Sequence, residues 1–369
     1  MLGVTYSIAD QNVATTKSIG IYNLSTSLAQ TLSEQPQLER LTILSNKTVS
    51  SDLTLTAKAR VEECNYPILS RWGRIWWDQW GVYQRARAER NPWLFLPKGF
   101  CSFVARPPVK VAAYVHDIMG DFYARRYPSY IPKLESHYFA KSLRATVCRS
   151  SVIFTNSNFS RSELLDFARQ TGLKEPKVIV AGFGFRPIKE KPGEKQNRVL
   201  LFVNKAPHKL TSLAVSFLTR WLRESNFNGV IDCLGTVSPA TQNPTGPQWN
   251  WLGRVALGQS RELIRRARAV VYSSEYEGFG IPPVEAVLEG TCPVFSDIPA
   301  LCETMGETGC PFSNDSESSF LAAMNRALSM APATLQEWSE SLLQRHTWAA
   351  VSKRIVDELL VQEGLQIIK

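Results

Sequence analysis

No apolar run in the chain approaches the ~18–20 residues needed to cross a bilayer, which argues against a spanning helix. The first residues, MLGVTYSIADQN, lack the basic and apolar regions of a signal peptide and read as a first strand. Cysteine is present seven times, an odd number with no CxxC, so neither a disulfide framework nor a zinc site is expected. A reducing cytoplasm with buried cysteines is the simplest expectation. Internal repeats and low-complexity segments are absent, and histidine is scarce, with four in all. Acidic residues are outnumbered, 33 against 42 basic ones, leaving a net charge of +9. That balance suits an anionic partner (a nucleotide, an anionic lipid surface or nucleic acid), although solubility alone would also explain it. What remains is the composition of a globular protein: 369 residues, 44% hydrophobic, room for two domains with a core each.

The most informative stretch is 273–292, SSEYEGFGIPPVEAVLEGTC. It follows the strand-like run Ala269–Tyr272 and ends in a helix-like PVEAVLEG. Pro282 and Pro283 suit the first turn of that helix, and Gly290 suits its end. Gly278, Phe279 and Gly280 therefore fall in a tight strand-to-helix loop, where backbone N–H groups and a helix N-terminus favour a phosphate. Glu277 and Glu285, eight positions apart, flank that hollow and suit paired sugar hydroxyls, which present two donors side by side. Together they suggest a nucleotide-sugar. The plainer reading is an αβ turn whose Glu285 only favours the helix dipole, worth roughly 0.3–1 kcal/mol.

EYEGFGIPPVEA resembles the donor-site signature of the retaining family 4 (group 1) glycosyltransferases of the GT-B fold, whose two glutamates are separated by seven residues. Other segments follow the family's order. Strand Leu2–Tyr6, a polar loop and the helix-like SIGIYNLSTSLAQTL resemble its first βα unit. There Gly20 keeps the second glycine of a GIG-type donor-phosphate turn and Ser18 replaces the first. Strand Lys110–Val115 runs into VHDIM, similar to the segment that sets a histidine beside the donor sugar. The resemblance implies His116 for that role, stabilising positive charge at the anomeric carbon. A core or loop histidine is the alternative.

Thr155 to Gly172 reads as a turn and a helix, with Ser160 and Glu163 forming a capping box. The charged 186–198, RPIKEKPGEKQNR, reads as a linker. Past it, strand Val199–Val203 leads to NKAPHK, where the family carries an Arg-Lys pair that grips the diphosphate. Lys209 matches the family lysine, His208 stands in the arginine's place, and Lys205 is the candidate second charge. DIPALCETMGETG resembles the family's later acidic segment, and HTW its last helix.

Arg71–Phe100 stands apart, with five of the ten tryptophans. Trp72, Trp76 and Trp80 recur every four residues, an aromatic stripe if helical, among Arg71, Arg74, Arg85, Arg87, Arg90 and Lys98. The stripe either packs on the sheet or, with Arg74, Trp76 and Trp80, faces a lipid-linked or sugar acceptor.

The resemblance implies an α/β, GT-B architecture: two doubly wound Rossmann-like domains facing a cleft. Residues 1–185 would form the acceptor-side domain, 186–198 the linker, 199–344 the nucleotide-sugar domain, and 345–369 a helix returning to the first domain. The implied activity is retaining hexosyl transfer from GDP-mannose or a UDP-hexose to a glycan acceptor in polysaccharide or glycoconjugate biosynthesis, and the basic, tryptophan-rich Arg71–Phe100 adds the expectation that this acceptor is lipid-linked. With no DxD-type carboxylate pair, no metal or other cofactor is expected, and His116, Lys209 and Glu277 are the catalytic candidates. The expected location is the cytoplasm, peripheral to the anionic inner face of a membrane. A catalytically idle nucleotide-sugar-binding relative is the alternative. A basic-aromatic nucleic-acid binder fits the charge but leaves the paired glutamates unexplained, so nucleic acid is not an expected partner.

Overall fold

The computed structural model describes residues 2–12, 19–64, 66–188, 193–238 and 243–366. The chain divides into two compact units, residues 1–185 with 346–369, and residues 186–345. The contact division therefore groups 186–198 with the second unit rather than apart from both.

In the first unit seven strands form one parallel sheet: β1 Leu2–Ser7, β2 Leu38–Ser45, β3 Ala59–Glu63, β4 Trp93–Leu96, β5 Lys110–Val115, β6 Val152–Thr155 and β7 Val178–Val180. Their spatial order is β3-β2-β1-β4-β5-β6-β7, so the winding reverses between β1 and β4. Helices cover both faces of such a sheet, and its central strands are therefore apolar throughout rather than alternating. All residues of WLFL in β4 and VIFT in β6 are buried. Helix Trp348–Gln362, capped by Thr347, belongs to this unit and packs on helix Ile19–Glu34. Arg354 fixes it by donating to the Ala181 carbonyl at 2.9 Å, and Lys177 pairs with Glu358 at 2.6 Å.

The second unit holds six parallel strands: β8 Arg198–Val203, β9 Val230–Gly235, β10 Trp249–Gly253, β11 Ala269–Tyr272, β12 Cys292–Ser296 and β13 Cys310–Phe312. The order β10-β9-β8-β11-β12-β13 reverses between β8 and β11. Its core is built from strand residues such as Leu201, Val271 and Val294 packed against Leu218, Trp221 and Phe320.

Several local expectations change. Gly20 lies in the first turn of helix Ile19–Glu34, not in a loop before it; Ser18 lies outside the described residues. The cap of helix Asn158–Gln170 is Ser157, whose hydroxyl accepts from Ser160 N–H at 3.0 Å. The Ser160–Glu163 box is therefore one turn late: Ser160 Oγ instead donates to the His116 carbonyl at 3.0 Å.

The tryptophan segment is helical over Arg71–Trp76, widens into a π-helical turn at Trp77–Gly81, and resumes over Val82–Glu89. A Cβ on Gly81 would meet the Trp76 ring at 2.6 Å, so the turn needs glycine there. The core position is taken by Trp77, 1% exposed, whose indole N–H donates to Ser7 Oγ at 3.2 Å. Trp72, Trp80 and Trp76 are 75%, 41% and 36% exposed, so the stripe does not pack on the sheet. No described helix is long and apolar enough to cross a membrane. Five of the seven cysteines are buried; Cys148 is exposed and Cys302 half-buried.

Candidate active site

In open parallel sheets, ligands sit beyond the carboxyl ends of the strands where the winding reverses. In the second unit that point lies between β8 and β11, and two loops leave it: Asn204–Leu210 and Ser273–Gly280. The sequence stitches them together. Ser273 Oγ donates to the Lys209 carbonyl at 2.7 Å, and both Glu275 N–H (2.8 Å) and Ser274 Oγ (3.1 Å) donate to the His208 carbonyl. Thr211 Oγ1 closes the first loop by donating to the Asn204 carbonyl at 2.8 Å. Asn314 ties the second to β12, donating to the Ser274 carbonyl at 3.0 Å and accepting from Ser296 Oγ at 2.7 Å. Leu210, in the left-handed region at φ 47°, turns the chain from the Pro207–Lys209 turn into helix Thr211–Glu224.

This frame brings Lys209 to Glu277, sixty-eight residues on. The ammonium donates to Glu277 Oε1 and, at 2.6 Å, to the Tyr272 phenol oxygen. The phenol donates in turn to Glu277 Oε1 at 2.7 Å, and Lys209 Nζ lies 4.8 Å from the Tyr272 ring centre. Burial pushes the Glu277 carboxyl up, but the Lys209 ammonium and its hydrogen bond outweigh that and hold it below the usual carboxylate range. Glu277 is thus a fixed anion whose Oε2 has no partner among the described residues. Burial, then the Glu277 carboxylate, raises the Tyr272 phenol well above its ordinary value, so it stays a donor. Tyr272 was missed from the sequence, although its place as the last residue of β11 is the available signal.

Helix Ile281–Leu288 starts at Gly280, φ 91°, where an added Cβ would lie 2.0 Å from Leu301 Cδ2. Pro282 and Pro283 fit its first turn, but they remove two of the N–H groups that a helix start normally offers an anion. Gly278 and Phe279 are buried in the same loop.

Glu285 lies just beyond that first turn, half-buried, and its carboxylate has no hydrogen-bond partner among the described residues. Burial raises its carboxyl to about 7; Arg261 works against the shift and Glu289 with it. Lys205 is exposed and forms no ion pair among the described residues. His208 is buried and its imidazole is held down to about 4, by burial first and the Lys209 charge second. It contributes its backbone carbonyl to the frame, not a cation in place of the expected arginine. Among the described residues no three His, Cys, Asp or Glu side chains converge as a metal site requires.

His116 belongs to the first unit, just past the carboxyl end of β5. Its Nε2–H donates to the Pro97 carbonyl at 2.9 Å, which leaves Nδ1 as the acceptor, and burial lowers the imidazole to about 4. Gly20 is half-buried in the same unit. Arg74 donates to the Leu69 carbonyl at 3.2 Å, and Trp76 packs on Tyr66 with ring centres 5.2 Å apart.

Residues 238–342, which include the whole of the Glu277–Glu285 loop, match the family model described as "Glycosyl transferases group 1". That match lies within the second unit and supports a group 1 glycosyltransferase. The chain is 26% identical over 219 residues to the O-antigen chain mannosyltransferase RfbU of Salmonella typhimurium, covering 57% of this chain and 58% of that one. An alpha-maltose-1-phosphate synthase of Mycobacterium tuberculosis is 30% identical over 132 residues, 33% of this chain and 34% of the other. The chain thus spans little more than half the length of the curated relatives it matches, or less. Among solved structures, a sucrose-phosphate synthase from Thermosynechococcus elongatus superposes with TM-score 0.68 at 15% identity, covering 99% of both chains. Anabaena Alr3699/HepE, solved with UDP and glucose, gives 0.65 at 16% identity over 97% of this chain and 99% of that one. With two parallel sheets of seven and six strands, the chain has the GT-B fold of these neighbours.

Proposed function

We propose that the chain is a retaining, metal-independent hexosyltransferase. It moves a sugar from GDP-mannose or a UDP-hexose to a glycan acceptor, lipid-linked at the anionic inner face of a membrane. The observation that carries this reading is the Lys209–Glu277–Tyr272 cluster at the winding reversal of the second sheet, beside the start of helix Ile281–Leu288. A cation held by a carboxylate and a phenol is placed without reorganisation, which is what stabilises charge that develops only as a bond breaks. The likeness to a mannosyltransferase supports the sugar class.

In the proposed reaction the bond from the anomeric carbon to the diphosphate oxygen breaks, and its electron pair leaves with the diphosphate. A bond to the acceptor hydroxyl oxygen forms on the same face, and the hydroxyl proton passes to the departing phosphate oxygen. Lys209 and Lys205 meet the growing negative charge, and Glu277 Oε2 and Glu285 accept hydroxyls of the donor. His116, a neutral imidazole carried by the other unit, enters the proposal only through the family resemblance.

A thermal-shift screen over nucleotide-sugars, followed by turnover, tests the reading. One donor is expected to raise the melting temperature, and Glu277→Gln to lose that shift, a charge-assisted hydrogen bond being worth about 1.5–3 kcal/mol. Lys209→Ala should cut turnover by on the order of 10²–10³, and EDTA should leave turnover unchanged. Loss of activity in EDTA with rescue by manganese would refute metal independence. A donor that binds but is never turned over or hydrolysed would favour the idle relative.

A further inference from the structure

The first sheet also reverses its winding, between β1 and β4, and a second charged cluster lies beyond the carboxyl ends of those two strands. Asp10 follows β1 and Lys98 follows β4; the Lys98 ammonium donates to Asp10 Oδ2 and, at 3.4 Å, to Asp78 Oδ1. Asp78 comes from the π-helical turn Trp77–Gly81, a distortion that often marks functional positions. Its other oxygen accepts from the Tyr138 phenol at 3.3 Å, and Tyr138 accepts from Gln79 Nε2 at 3.3 Å. Pro97, next to Lys98, accepts a hydrogen bond from His116 Nε2–H, so the candidate catalytic histidine is tied to the backbone segment that carries Lys98. Beside Asp10, Gln11 is 6% exposed and its Oε1 has no partner among the described residues.

The charges decide what such a cluster binds. One ammonium lies between two carboxylates, and the charged groups that act on Asp78 and Lys98 lie within the cluster itself. The sum is one negative charge when both acids are ionised. The Lys98 and Asp78 side chains are 23% and 15% exposed, while Asp10 is 3% exposed behind them. A phosphate or carboxylate would meet a net anion, whereas a hydroxyl can donate to Asp78 and accept from Lys98 at once.

We propose that Asp78 and Lys98, backed by Asp10, form a specificity-determining subsite that takes hydroxyls of a neutral sugar and turns away phosphorylated ones. The proposal rests on the glycosyl-transfer reading and adds the chemistry of the acceptor's sugar end. Any phosphate on a lipid-linked acceptor must then lie away from this point.

Saturation-transfer NMR on the full chain tests it, with methyl α-glycosides of mannose, glucose, galactose, rhamnose and N-acetylglucosamine, and with mannose 6-phosphate and glucose 6-phosphate. At least one neutral glycoside should bind, its phosphorylated counterpart at least fivefold more weakly, and Asp78→Asn should weaken it roughly tenfold, the loss of one charge-assisted hydrogen bond. Lys98→Arg keeps the charge and alters the geometry; it should still lose about threefold and serves if Asp78→Asn does not fold. Protection against melting by GDP or UDP should be unchanged in both variants and reduced in Glu285→Gln. Equal binding of sugar phosphates, no binding by any neutral glycoside, or full binding by both variants would overturn the subsite. Loss of nucleotide protection in the unmodified chain, with glycoside binding intact, would instead overturn the donor reading.

Discussion

The fold disfavours the ionised form of Glu285. Its free carboxyl titrates near 4.5 and burial lifts it to about 7, so between those values the folded chain holds a proton that the unfolded chain has released. Folding is then disfavoured as pH rises through that window, by on the order of 1–3 kcal/mol once pH exceeds 7. His116 and His208 act in the opposite sense. Their imidazoles, lowered from 6.5 to about 4, keep the fold stable above pH 6.5 and lose that contribution as pH falls toward 4. Glu285→Gln is therefore expected to melt higher than the unmodified chain at pH 8 and nearly equal to it at pH 5. Donor binding should show the reverse preference. Two hydroxyl donors need the ionised carboxylate, so affinity should rise with pH through about 7 and release a proton, measurable by calorimetry in buffers of different ionisation enthalpy. The Glu285→Gln substitution should weaken the affinity and remove its pH dependence. A variant that melts lower at pH 8, or a pH-independent donor affinity, would remove Glu285 from the site.

Elements explain which parts of this were legible in the sequence. The loop 273–280 was readable because each of its signals is local: an apolar strand, glycines where the chain turns sharply, prolines at the first helical turn. Gly280 shows how strict the requirement is, with φ 91° and 2.0 Å to Leu301 for an added Cβ. Gly280→Ala should destabilise the chain by about 2–3 kcal/mol, combining backbone strain with a clash. Gly172→Ala is the comparison: φ is 67° but nothing lies within 4 Å, so only the strain of about 1–2 kcal/mol is expected. Equal losses of melting temperature would mean that the Leu301 contact relaxes freely. Less local features were not readable. Tyr272 meets Lys209 through a fold contact of sixty-three residues' separation, and Lys98 meets Asp10 across eighty-eight. The helical period set Trp72, Trp76 and Trp80 on one face, but it could not say which face was buried. The π-helical turn sends Trp77 inward instead.

For the whole molecule the open quantity is where its positive charge acts. The chain carries +9, and around the tryptophan helix Arg71, Arg87 and Arg90 are exposed without ion pairs among the described residues. Arg85 and Arg60 are occupied by Glu62 and Glu89. Tyr66, 56% exposed, extends the aromatic surface formed by Trp72, Trp76 and Trp80. Rings with a polar tip beside free guanidinium groups match a membrane interface, where each basic residue adds roughly 1 kcal/mol of attraction to anionic lipid. Exposed tryptophans contribute little to folding, so replacing Trp76 and Trp80 together by alanine should leave the melting temperature within a few degrees. The same variant should sediment less with phosphatidylglycerol vesicles at low salt. Attraction of this kind is screened beyond a Debye length of about 8 Å at physiological ionic strength, so binding of the unmodified chain should weaken steadily as salt is added. The tryptophan variant should weaken binding at every salt concentration, because its loss is apolar and unscreened. Absence of sedimentation at low salt, or sedimentation indifferent to both tryptophans, would assign the surface to a soluble acceptor instead.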